Sequence, residues 1–120
     1  MNARQIFGLD GEQAAERHLR EAGYRVLLRN YRCRSGEIDL IAFDGEVLVF
    51  VEVKARSAGG YGDPFDAVDD HKQHRIIRAA EWYIHENGLY DRNARFDVVG
   101  VWREGGQLRC ELIRDAFELP

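Results

Sequence analysis

Asp39, Glu52 and Lys54 are the residues on which chemistry can be built. They lie within Gly36–Lys54, which reads as two apolar strands joined by an Asp44-Gly45 turn. Charged side chains are rarely set among core residues unless they are paired or bind a metal. With Asp44-Gly45 as a two-residue hairpin loop, Phe43 faces Glu46, Asp39 faces Phe50 and Glu37 faces Glu52. Strand alternation then places Glu37, Asp39, Ile41 and Phe43 on one face, with Leu48, Phe50, Glu52 and Lys54 of the partner strand. Asp39 and Glu52 become diagonal neighbours with Cβ atoms ~7 Å apart, within reach of one cation. Glu37 opposite Glu52 is a like-charge pair that a divalent cation would relieve. An oxygen-rich site with few nitrogen donors suits Mg²⁺ or Mn²⁺ better than zinc. The Lys54 ammonium, on the same face, can hold a water or stabilise charge on a phosphate.

These residues need a scaffold. Arg4 to Ala22 reads as a helix with Ala15, Leu19 and Ala22 on its apolar stripe and Gly23 as its stop. Gly8 and Gly11 weaken its start, and Asp10 is a candidate N-cap. Glu12 falls on the apolar stripe, which leaves two readings: it faces the site, or it occupies an exposed first turn. Tyr24–Cys33, Glu37–Phe43 and Val47–Arg56 read as strands. Gly59, Gly60, Gly62 and Pro64 form a loop, and Asp63 can cap a short helical turn at Pro64. A second helix covers Asp70–Asn87, with Ile76, Ile77, Ala80, Tyr83 and Ile84 buried. Arg95–Trp102 and Gln107–Ile113 are further strands around a Glu104-Gly105-Gly106 turn. The order predicts one α/β domain, a mixed sheet of about five strands flanked by helices, with the third and fourth strands parallel across the second helix.

The 120 residues suit a single core. Net charge is −4, but six arginines lie between Arg17 and Arg34, against nine acids between Ser35 and Asp70. An acidic centre between basic flanks suits a metal site that receives a polyanion; it equally suits solvated faces. Arg29, Arg32 and Arg34 around Tyr31 can follow a nucleic-acid backbone. Lys72 and Arg75, near a helix N-terminus, can meet a phosphate, and Arg56 lies just beyond Lys54. No apolar run approaches the ~20 residues of a membrane span. The N-terminus lacks a signal-peptide layout, and Cys33 and Cys110 read as free thiols, so a cytoplasmic location is expected.

Asp39 followed by Glu52-Val53-Lys54 resembles the PD-(D/E)XK nuclease signature, with Ile38 where that motif carries proline. The element order is similar to the restriction-endonuclease-like fold. Almost the whole chain resembles the YraN-like bacterial proteins, through Gly11-Glu12 with Ala15, Asn30-Tyr31-Arg32, Gly36-Glu37-Ile38-Asp39-Leu40-Ile41, Phe50-Val51-Glu52-Val53-Lys54 and Lys72 through Ala80. The resemblance implies that Asp39 and Glu52 bind the metal, that the Val53 carbonyl is a third ligand, and that Lys54 is the catalytic lysine. Archaeal-type Holliday-junction resolvases of this fold also use a glutamate on the first helix, and Glu12 matches that position. The expected activity is metal-dependent phosphodiester hydrolysis of DNA, including branched or structured DNA, with a homodimer as the form suggested by the resolvases. The alternative is a non-catalytic module that binds nucleic acid or protein on the same fold.

Overall fold

The structure, a computed structural model, describes residues 3–55 and 70–117, with side chains from residue 10 onward. The elements run α1 (Ala3–Glu21), β1 (Arg25–Cys33), β2 (Gly36–Asp44), β3 (Val47–Ala55), α2 (Asp70–Asn87), β4 (Ala94–Glu104) and β5 (Gln107–Phe117). The five strands form one sheet in chain order. β3 and β4 are parallel and every other pair is antiparallel. This is the expected mixed α/β architecture with two flanking helices. Among the described residues, no helix is long and apolar enough to cross a membrane.

Each strand's composition follows from its position. β3 is buried on both faces and is accordingly almost continuously apolar from Val47 to Val51. β1 lies at an edge, is largely exposed and carries charge, which discourages pairing with another chain. One core layer, under α2, gathers Ile38, Ile41, Leu48, Phe50, Ile76, Ile77, Ala80, Phe96 and Val98. The other, under α1, gathers Ala15, Leu19, Leu40, Ala42, Val49, Val51, Val99 and Val101. Phe50 stacks on Phe96 at 5.7 Å and meets the edge of Tyr83 at 6.1 Å. A side chain of that size, fully buried, contributes about 1.5–3 kcal/mol.

Three sequence expectations are corrected. First, α1 begins well before Asp10 and runs through Gly11, so Asp10 is not its N-cap. Gly11 is buried, and a β-carbon there would lie 3.8 Å from Val101, so this part of the helix is held by packing on β4. Second, Ala22 lies outside the helix and is exposed; the chain there turns through Tyr24 N–H to Leu19 C=O (2.9 Å) and Gly23 N–H to Arg20 C=O (3.0 Å). Third, the hairpin loop is Gly45-Glu46, because Asp44 pairs with Val47, Phe43 with Leu48 and Ile41 with Phe50. Gly45 takes the left-handed conformation (φ 60°) that the tight turn requires. Asp44 stays in the strand, held by Arg95 at 2.6 Å. β4 and β5 are also longer than expected, since both continue beyond the core to the Glu104/Gln107 turn and β5 runs on to Phe117. The Gly59–Pro64 loop, the Asp63 cap and Arg56 lie outside the described residues.

A break in the pleat matters for the site. Ile38 and Ile41 both face α2, whereas Leu40 faces α1. On the neighbouring strand, Arg29 bonds to Glu16 of α1, while Tyr31 packs against Tyr83 of α2 at 5.3 Å. Strict alternation would keep Arg29 and Tyr31 on one side. The inversion occurs at Asn30, which has a positive φ of 53°, and at Asp39, which lies between Leu40 and Ile38 of the partner strand.

Candidate active site

The corrected register brings the two carboxylates closer than expected. Continuing the β2–β3 pairing by one step beyond Leu40↔Val51 sets Asp39 opposite Glu52, and Glu37 near Lys54 rather than Glu52. The slip is two residues, which alone would preserve the faces, but the inversion at Asp39 turns Glu37 away from the face of Ile41 and Phe43, toward Arg32 and Glu12. The Val53 N–H donates to Asp39 Oδ2 at 2.8 Å, so the Asp39 side chain occupies the place of a backbone acceptor. In an extended strand the N–H and C=O of one residue point to the same side, so the Val53 carbonyl also points toward Asp39.

Glu52 is only 5% exposed. Burial, and then the charge of Asp39, push its pKa up to about 7, against the opposing pull of Lys72. Burial also raises Asp39, offset by the Val53 N–H and by a hydrogen bond from Glu52. Burial and the neighbouring Asp39 thus both favour the protonated form of Glu52. Lys72, from the first turn of α2, forms an ion pair with Glu52. Burial opposes the charge on Lys72, but its pairing with Glu52 outweighs that and raises its pKa. Lys54 is half-buried beside it, and burial together with the neighbouring Lys72 ammonium lowers its pKa.

Glu12 approaches from α1. Its pKa is raised by burial, by Asp39 and then by Glu37, while the Asn30 side chain donates a hydrogen bond to it. Glu12 thus faces the carboxylates, as the first of its two readings expects. Glu12, Glu37, Asp39, Glu52, Val53 and Lys72 line one cleft of about 240 Å³ between the two helices. The approach of α2 depends on Gly36, where a β-carbon would lie 3.3 Å from the Arg75 carbonyl.

The candidate polyanion contacts are spread more widely. Arg29 is engaged by Glu16, Arg32 pairs with Glu37 at 3.2 Å, and Arg34 and Arg75 are exposed. Tyr31 is half-buried, with its ring against Tyr83 and its hydroxyl donated to Glu86.

Among the described residues, no three His, Cys, Asp or Glu side chains close on one point as a ready-made metal cage. The donors present nonetheless fit a hard divalent cation. Two adjacent carboxylates, with the Val53 backbone beside them, offer oxygen ligands only, and Mg²⁺ keeps several waters in its shell.

Sequence patterning did not identify a second buried polar centre. Asp97, fully buried in β4, accepts from the Tyr24 hydroxyl (2.7 Å), Arg95 Nε (3.0 Å) and the Asp115 N–H (2.9 Å). Arg95 also reaches Asp44, and Arg114 donates to the Tyr24 hydroxyl at 3.1 Å. A lone carboxylate in the apolar run Phe96–Val101 was its only sequence signal. The network joins the end of α1, the β2–β3 turn and both later strands, and it lines no part of the acidic cleft.

A model of the uncharacterised protein family UPF0102 matches residues 11–101, which contain every residue of the cleft. The chain belongs to this family. A UPF0102 protein of Desulfosudis oleivorans is 50% identical over 118 residues, covering 98% of this chain and 94% of that protein. One from Syntrophus aciditrophicus is 54% identical over 109 residues, covering 91% and 86%. One from Symbiobacterium thermophilum is 53% identical over 111 residues, covering 92% and 94%. The UPF0102 match thus spans α1 from Gly11 onward, the hairpin, α2 and most of β4, the elements that build the cleft.

Proposed function

We propose that this UPF0102 protein is a metal-dependent nuclease of the PD-(D/E)XK type that hydrolyses phosphodiester bonds in DNA, including branched or structured DNA. The observation that carries this reading is the juxtaposition of Asp39 with Glu52, a half-buried and a buried carboxylate at the wall of one open cleft. Burying a like-charged pair costs stability unless a proton or cation intervenes. A bound Mg²⁺ or Mn²⁺ would supply the positive charge that polarises a phosphoryl group and activates water. Asp39, Glu52 and the Val53 carbonyl would hold it, and Glu12 would contribute from across the cleft. Asp39 is oriented for this by the Val53 N–H. Lys54, beside Lys72 and with its pKa lowered, would donate to a water or a phosphoryl oxygen. Lys72 balances the charge of Glu52 until a substrate phosphate offers a stronger partner.

One observation favours a second reading. The Lys72 ammonium is already paired with Glu52, which partly removes the need for a metal. A non-catalytic module that binds nucleic acid or protein would retain such a pair permanently.

The test is incubation of linear, flap and four-way-junction DNAs with the protein and Mg²⁺ or Mn²⁺. The nuclease reading expects cleavage that Asp39→Ala and Glu52→Ala abolish. Failure to cut any of these DNAs, or equal cutting by the variants, would reject it in favour of the binding module.

A further inference from the structure

Glu12 and Asp39 belong to two clefts at once. Besides the acidic cleft, they line the end of a groove of about 610 Å³ between α1 and β1. Along its length this groove presents Arg17, Arg20, Arg29 and Asn30. From Glu12 to Arg20 the helix advances about 12 Å. That is roughly the rise of three nucleotides of one strand.

Glu16 organises the groove. It accepts from Arg29 Nη2 at 2.7 Å and from Arg20 Nε at 3.3 Å, so one carboxylate holds two guanidiniums on facing elements. Both arginines remain more than half exposed, at 64% and 52%. The fork of an arginine suits a phosphate, and a guanidinium already oriented loses less freedom on binding one. A larger groove of about 670 Å³ on the other side of α1 contains Arg103 and Arg109 but touches neither Glu12 nor Asp39. Of these two grooves, formed by described residues, the α1–β1 groove is the one continuous with the carboxylates.

We propose that the α1–β1 groove is the track for the phosphodiester backbone on one side of the scissile phosphate, with Arg20 and Arg29 as phosphate contacts and Glu16 as the residue that positions them. This rests on the nucleic-acid reading of the cleft and adds the direction in which the strand leaves it. It also gives Glu16 an opposing role: it aims the two arginines while competing with phosphate for them.

The experiment is fluorescence anisotropy of a labelled single-stranded DNA and its duplex, with EDTA present so that binding is read without cleavage, across a series of salt concentrations. Arg20→Gln and Arg29→Gln each weaken binding and reduce the salt slope by about one phosphate contact. Glu16→Gln tightens binding severalfold, a gain that misfolding cannot produce. Arg109→Gln, in the other groove, and Glu111→Gln, on exposed β5, leave binding as in the wild type. The inference is overturned if the wild-type protein binds neither DNA, if Arg20→Gln and Arg29→Gln bind like wild type, or if the two control substitutions act as strongly as their groove counterparts. Groove-dependent binding without cleavage in the nuclease test would uphold the track and reject the nuclease. Cleavage with groove-independent binding would do the reverse.

Discussion

Asp39 ends the β2–β3 ladder with its side chain, accepting the Val53 N–H at 2.8 Å where a backbone carbonyl would otherwise stand. That bond fixes one carboxylate oxygen of a side chain that lines the same cleft as Glu52. The candidate site is therefore built into the way the hairpin stops pairing.

The first prediction concerns Glu52. Glu52→Gln removes the buried member of the acidic pair at almost constant volume. Thermal unfolding should show the variant at least as stable as wild type without metal at neutral pH, and without the rise in Tm that Mn²⁺ gives the wild type. Asp39→Ala should behave differently, because it leaves the half-buried Val53 N–H without its acceptor. It should lose about 1–3 kcal/mol even without metal.

The pH dependence follows from the raised carboxyl groups. Burial and Asp39 lift Glu52 from its ordinary 4.5 to about 7 in the folded chain. The folded state therefore binds more protons than the unfolded one in that interval, and stability falls as pH rises through it. The shifts of Asp39 and Glu12 have the same sign. Urea denaturation at a series of pH values should show metal-free stability declining from about pH 5 to above pH 7. Saturating Mn²⁺ should flatten the decline, and so should Glu52→Gln.

The two lysines separate by role. Lys54→Met should reduce cleavage by roughly 10²–10³-fold while leaving Mn²⁺ affinity by calorimetry near the wild-type value. Lys72→Met removes the cation paired with Glu52 and should tighten Mn²⁺ binding while weakening DNA binding. Equal effects of the two substitutions on both readouts would contradict this division.

The Asp97 network should act on stability alone. Asp97→Asn leaves Arg95 short of its buried partner, and breaking such a pair costs about 3–5 kcal/mol. Tyr24→Phe removes one buried hydroxyl and should cost about 1–3 kcal/mol. Urea denaturation gives both values. Mn²⁺ affinity at a temperature where the variants are folded should match wild type, because no member of the network lines the cleft.

The apolar periods of β2, β3 and α2 were legible in the sequence because each element buries a regular stripe. The hairpin register was not, since Asp44 is kept in the strand by Arg95, a partner 51 positions away. The error was two residues, an even slip, so the face shared by Asp39 and Glu52 survived it. The inversion at Asn30 and Asp39 had only a weak signal, an asparagine in a strand, a residue type able to adopt positive φ. Helical spacing placed Glu12 on the apolar stripe, but it could not reveal the hydrogen bond from Asn30 that meets it there. Asp97 was not legible because Tyr24 and Asp115 are brought to it by the fold, and its local partner Arg95, two residues away, reads as an ordinary strand charge.

The central claim is that Asp39 and Glu52 together hold a divalent cation. The most direct measurement is anomalous diffraction from crystals of the protein grown with Mn²⁺. The account predicts an anomalous peak between the two carboxylates, beside the Val53 carbonyl, with the Lys72 ammonium displaced from Glu52. A map without that peak at saturating Mn²⁺, with Lys72 still paired to Glu52, would contradict it.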